Sequence, residues 1–270
     1  MNKWKKAFAG VLCMMMVETP AVLQMPAVVY GEEAVQAETA VKDGLVRENG
    51  KLCCYIEGKR QTGWRNVTAT ENGKTVTNRY YFAKNGQACA ATAAQKTLVK
   101  KIGGKYYGFD TQGRMIKNRF CSAKVKKGRK TVTNRYYFGK NGAACTGKTV
   151  NGVCEIGLKK VKGKTYGFGA DGNMARGIFV KGTKFYAFNK KNGVYDKARS
   201  RQLNSAAGYE KDASTIRKLL GSPKKTVKIH GCYAPESVGN EYILHYDNFV
   251  LNIFRYNGSG KEIVIGAMAA

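Results

Sequence analysis

The chain has 270 residues, with 47 Lys and Arg against 18 Asp and Glu, a formal charge of +29 and two His. That length leaves room for one large domain or two ordinary ones. It carries no nucleophile–base pair, phosphate loop or paired-carboxylate signature. Between Asn72 and Tyr195 only Asp110, Glu155 and Asp171 oppose 27 Lys and Arg, too few acids for the two positioned carboxyls of a glycosidase. The composition therefore points away from an enzyme, and it implies no cofactor and no metal.

Residues 1–37 read as a signal peptide and N-terminal segment. Lys3, Lys5 and Lys6 precede an apolar run, Ala7–Val17, which Glu18 and Pro20 break before it could span a bilayer. Cleavage is expected after Ala27 or as late as Ala37. Cys13 follows Leu12, where a lipidation site wants a small residue. No later segment is apolar enough to cross a membrane, so an exported chain without a transmembrane segment is expected.

Residues 43–200 are repetitive. The stretch KTVTNRYYF stands at Lys74–Phe82 and again at Lys130–Phe138, 56 residues on, each time followed by Lys-Asn-Gly and a Cys. Aligning the turn glycines exposes further copies: Tyr80/Phe82 before Gly86, Tyr107/Phe109 before Gly113, Tyr136/Phe138 before Gly142, Tyr166/Phe168 before Gly172 and Tyr186/Phe188 before Gly193. Aromatic-x-aromatic is a period of two, which puts both rings on one strand face. The Asn-Gly, Gln-Gly and Asp-Gly pairs tolerate the positive φ of tight turns and are hairpin signals. A single short hairpin cannot bury its aromatic face, whereas a stack of them can. A solenoid of stacked β-hairpins is the expected architecture. Seven residues after the turn glycine the units alternate, with Phe120 and Phe179 in two and Ala93 and Thr149 in the others. The full period is thus a double hairpin.

The segments GKRQTGW, RYYFAKNGQA, KYYGFDTQGRM, RYYFGKNGAA and KTYGFGADGNMARG resemble the cell-wall-binding (choline-binding and glucan-binding) repeats of Gram-positive surface proteins. The resemblance implies a left-handed β-solenoid, with aromatics between neighbouring hairpins that cage a choline head group or meet a sugar. The sequence departs from that pattern, with one Gly-Trp pair, Gly63-Trp64, and no Trp-Tyr-Tyr strand. Cation–π capture of a quaternary ammonium wants several ring faces, Trp above all. Choline therefore ranks below a wall polymer such as teichoic acid, or a glycan, which the single-sign field of lysines and arginines would attract. Nucleic acid fits the same electrostatics, but export argues against it. Trp64, Phe120, Phe179, Tyr81 and Tyr137 are the candidate ligand-binding residues; Tyr107 and Phe109 read as packing between hairpins.

Residues 201–270 read as a small α+β domain, one helix on a three- or four-stranded antiparallel sheet. The helix lies in EKDASTIRKLLGSP, with Asp212 or Ser214 as N-cap and Gly221 as its stop. Strands are expected at Lys225–His230, Glu241–Tyr246, Asn248–Tyr256 and Lys261–Ile265. His230 lies two residues from Cys232, but no acidic partner that would orient it is visible. The cysteines beyond Cys13 lack metal spacing, and Cys89 and Cys145 exchange with Ile116 and Ala175 in other repeats, so they read as small interior hydrophobes. Function falls to attachment at a surface polymer, with residues 201–270 on display. The alternative makes residues 201–270 a partner-binding or inhibitory module and the repeats a stalk.

Overall fold

The computed structural model describes residues 41–71 and 73–270; the expected signal peptide at residues 1–37 lies outside them. The fold is mainly β and is built from antiparallel hairpins. β1 (Gly44–Glu48), β2 (Lys51–Ile56) and β3 (Lys59–Arg60) make a three-stranded sheet. Two-stranded hairpins come next: β4 (Gly63–Glu71) with β5 (Lys74–Phe82), β6 (Leu98–Ile102) with β7 (Lys105–Phe109), and β8 (Arg119–Lys127) with β9 (Lys130–Phe138). After a small hairpin of β10 (Lys148–Val150) and β11 (Val153–Glu155) come β12 (Gly157–Val161) with β13 (Lys164–Phe168). Then β14 (Gly177–Lys181), β15 (Lys184–Phe188) and β16 (Tyr195–Asp196) form one sheet.

Each Tyr-x-Phe motif ends the second strand of its hairpin. Phe82, Phe109, Phe138, Phe168 and Phe188 are all between 0% and 3% exposed, so these rings form the interior that a lone hairpin could not make. The Asn-Gly-type turns do reverse the chain, with positive φ at Gly86, Gly113, Gly142, Gly172 and Gly193. They are not the hairpin tips, however. The tips fall one strand earlier, for example at Gly103-Gly104, Gly128-Arg129 and Lys162-Gly163. Just past each Asn-Gly-type turn the chain ties itself to the preceding hairpin. Ala88 N donates to Leu52 O (2.7 Å), Met115 N to Arg79 O (2.8 Å), Ala144 N to Tyr106 O (2.8 Å) and Met174 N to Arg135 O (2.7 Å). A bridge between Tyr166 and Val194 continues the series.

The alternation of Tyr81/Tyr137 with Gly108/Gly167 has a packing cause. A Cβ on Gly108 would stand 2.5 Å from Cζ of Phe138, and one on Gly167 would stand 2.5 Å from Cζ of Phe188. The glycine is where the tip of the next hairpin's buried phenylalanine ring meets the strand.

Beyond β16 the described residues hold two helices, α1 (Lys197–Ala206) and α2 (Ala213–Leu220), and the strands β17 (Lys225–Ile229), β18 (Gly239–His245), β19 (Phe249–Tyr256) and β20 (Glu262–Ala269). The strands form a meander in the order β17-β18-β19-β20. α2 has the expected Asp212 cap and Gly221 stop. The expectation of one helix is corrected by α1. Its sequence, KARSRQLNSA, has no apolar stripe to betray it, because it docks largely through polar groups. Ser200 Oγ accepts from Ala187 N (2.9 Å), and Asn204 both accepts from Phe185 N (2.9 Å) and donates to Phe185 O (2.8 Å). Leu203, fully buried, is its apolar anchor. One hydrophobic cluster runs from Val180 and Phe185 of the β14–β15 hairpin through Leu203 and Ile216 to Leu251 and Val264 of the meander.

Candidate ligand-binding site

Directly paired residues of an antiparallel ladder share a face. In β4–β5 that rule sets Trp64 opposite Tyr81, and in β8–β9 it sets Phe120 opposite Tyr137. Each pair meets a tyrosine of the next hairpin that carries a Tyr-x-Phe motif. Trp64 lies 5.1 Å from Tyr81 and 4.8 Å from Tyr107, ring centre to ring centre. Phe120 lies 4.9 Å from Tyr137 and 4.9 Å from Tyr166. The result is two clusters on a shared three-ring plan, one per double hairpin, with those three rings half-buried in each; in the first, the buried Phe109 also stacks on Trp64 at 6.0 Å.

A cation already lies over each cluster. The Arg79 guanidinium sits 4.6 Å from the Trp64 ring centre, and that of Arg135 sits 5.3 Å from the Phe120 ring centre. Both arginines occupy the same place in KTVTNRYYF. Each is held at its carbonyl by the methionine amide of a later turn, and both are exposed. A second cation flanks each cluster across the ladder, since Lys100 is paired with Tyr107 and Lys159 with Tyr166. Tyr81 also borders an open hollow of about 520 Å³ whose other walls include Lys84, Lys100 and Lys101.

Four of the five candidate residues thus assemble as two pairs, Trp64 with Tyr81 and Phe120 with Tyr137. Phe179 does not join an equivalent arrangement. In the earlier units the aromatic is one residue past the partner of the buried phenylalanine, whereas Gly177 pairs with Phe188 and Phe179 lies two past it, opposite Tyr186. A slip of one residue turns a side chain to the other face. Phe179 accordingly packs with Phe188 at 6.0 Å beside Ile156 and Ala175. Sequence reasoning missed Tyr107 and Tyr166 as third rings, and both arginines. The signal for the arginines was present, because an exposed Arg preceding Tyr-Tyr is part of the literal repeat.

Other chemistry is thin among the described residues. No group of His, Cys, Asp and Glu there could hold a metal. His230 does have an acidic neighbour, Glu236, which its sequence surroundings did not reveal; the pair and nearby Cys232 are all exposed. The seven described cysteines are free, and burial pushes the thiols of Cys54, Cys89, Cys121 and Cys145 up. No helix of the described residues is long and apolar enough to cross a membrane.

No family model and no curated protein matches the chain. Among solved structures it is similar to choline-binding-type repeat proteins. CbpF in complex with ipratropium aligns at TM-score 0.40 and 17% identity, over 82% of this chain and 53% of that one. Choline-binding protein F from Streptococcus pneumoniae, in the presence of a peptidoglycan analogue, aligns at TM-score 0.38 and 16% identity, over 82% and 52%. The choline-binding domain of Spr1274 from the same organism aligns at TM-score 0.25 and 25% identity, over 39% of this chain and 96% of that one. The chain thus spans about half the length of the first two.

Proposed function

We propose that this is an exported, non-catalytic surface protein. Its hairpins, residues 43–200, stack as a solenoid that attaches to anionic wall polymers or glycans and displays the α+β portion, residues 201–270. The observation that carries this reading is the charge on the tied hairpins, 27 Lys and Arg against three acids between Asn72 and Tyr195. On β8–β9 alone, Arg119, Lys124, Lys126, Lys127, Lys130 and Arg135 are exposed. A field of one sign costs folding stability through self-repulsion, and a polyanionic partner relieves it. Many weak contacts along a repeated surface then add up to retention.

The test is retention of the protein on purified cell-wall material, with and without its teichoic acid, over a salt series. Retention on the teichoic-acid-bearing wall that falls steeply as salt rises is expected. Salt-insensitive retention released by free choline would overturn the reading.

A further inference from the structure

We infer that the two ring clusters are phosphate sites. Each takes a phosphodiester group of a polyol- or sugar-phosphate polymer, gripped by the arginine that lies on the ring and by the lysine across the ladder from the third ring. The inference rests on the surface-polymer reading above and names the chemistry of its contacts.

A three-ring cluster with an open π face attracts a cation. Here the chain supplies that cation itself, from the strand that carries the second ring, so an external quaternary ammonium has to displace a guanidinium that is tethered in place. An arginine spends its face on the ring and keeps N–H edges for an acceptor, and a planar fork of donors suits a phosphate. Neither Arg79 nor Arg135 is in an ion pair among the described residues. Asp110 and Asp171, two of the three acids of this stretch, are engaged by Arg114 and Lys127. Both arginines therefore offer uncommitted positive charge above an apolar floor. Lys100 and Lys159 add a second positive group at the same position of each double hairpin, and the hollow beside Tyr81 brings Lys84 and Lys101 to the first site. The apolar floor suits the carbon-bound face of a polyol or sugar. The literal recurrence of the strand sets the two sites one structural period apart, as a polymer of repeating phosphates requires.

The experiment uses the full chain carrying Trp4→Phe, which makes Trp64 the sole indole. Glycerol 3-phosphate should change Trp64 emission saturably, and Arg79→Met should weaken that response about tenfold. Tetramethylammonium should leave the parent unchanged and bind saturably once Arg79→Ala uncovers the rings. Saturable tetramethylammonium binding to the parent, or no response to glycerol 3-phosphate, overturns the inference.

On immobilised polyglycerol phosphate, Arg79→Met with Arg135→Met should lower affinity about tenfold or more. Lys124→Met with Lys126→Met, an equal loss of charge elsewhere, should cost less than about threefold. Equal losses overturn the sites but leave the polyanion reading standing. An intact glycerol 3-phosphate response without retention on cell-wall material sinks that reading and leaves the sites. Polyglutamate bound as tightly as the polyglycerol phosphate would overturn the choice of phosphate.

Discussion

The residues that matter most to this fold are the five buried phenylalanines of the Tyr-x-Phe motifs and the two glycines, Gly108 and Gly167, against which Phe138 and Phe188 pack. Gly108 and Gly167 have ordinary negative φ, so their need for glycine is spatial rather than conformational. Gly108→Ala and Gly167→Ala should each destabilise the chain by about 1–3 kcal/mol in chemical denaturation, because the obstacle is a packed ring rather than a flexible tip. A neutral result would mean that the hairpins are not pressed together there. The cysteines separate in the same way. Burial raises the thiols of Cys54 and Cys89 and shields them, whereas Cys154 and Cys232 are exposed. Native-state alkylation at neutral pH, read by mass spectrometry, should label Cys154 and Cys232 first; early labelling of Cys89 would contradict the packing. Trp64 and Phe120 could be picked out from their place in the repeat. Tyr107 and Tyr166 could not, since their motif is the same one that supplies inter-hairpin packing, and only the fold shows which tyrosine reaches back to an earlier hairpin.

Hairpins and helices differ in how openly they declare themselves. The Tyr-x-Phe strands and α2 are legible in periodicity and capping. The placement of the hairpin tips was not, because an Asn-Gly pair reports a reversal without saying which strands it joins. α1 escaped notice because its binding energy is vested in Ser200, Asn204 and one leucine. Asp196 caps it by accepting from Arg199 N at 2.9 Å. Asp196→Ala should cost about 1 kcal/mol, and Leu203→Ala about 2–5 kcal/mol, both measured by denaturant titration. A near-silent Leu203→Ala would show that α1 does not anchor the shared core.

On the meander, Glu262 lies between Arg217 and Arg255, with the Arg255 Nε–Oε1 distance at 2.8 Å. Burial works to raise its pKa, but hydrogen bonds and charge from the two arginines outweigh it, so the carboxyl lies below its ordinary value of 4.5. A carboxyl depressed in the folded state contributes stability that is present above the unfolded value and is lost as pH falls through the folded one. Acid unfolding below about pH 4.5 should therefore lose part of its steepness in Glu262→Gln. An unchanged acid limb would assign the effect elsewhere.

Over the whole molecule, charge and core act against each other. The lysine-rich hairpins repel, so the thermal midpoint should rise as ionic strength goes from low to physiological, where the Debye length is about 8 Å. A midpoint indifferent to salt would mean that the charges are too well spaced or too well solvated to matter. The cluster that unites β14–β15, both helices and the meander, with Phe185 and Phe249 at 5.3 Å, ties the last hairpin to the C-terminal helices and strands.

Composition, the two-residue aromatic period and the spacing of glycines were enough to read a mainly β chain of antiparallel hairpins with strongly positive charge, because those properties reside in the local chain and need no partner to be read. They could not decide which rings gather, that an arginine covers each gathering, or that Phe179 is turned the other way. Those outcomes depend on the register between strands and on contacts between hairpins about 27 to 30 residues apart. A shift of one residue there reverses a side chain while leaving the motif that contains it unaltered.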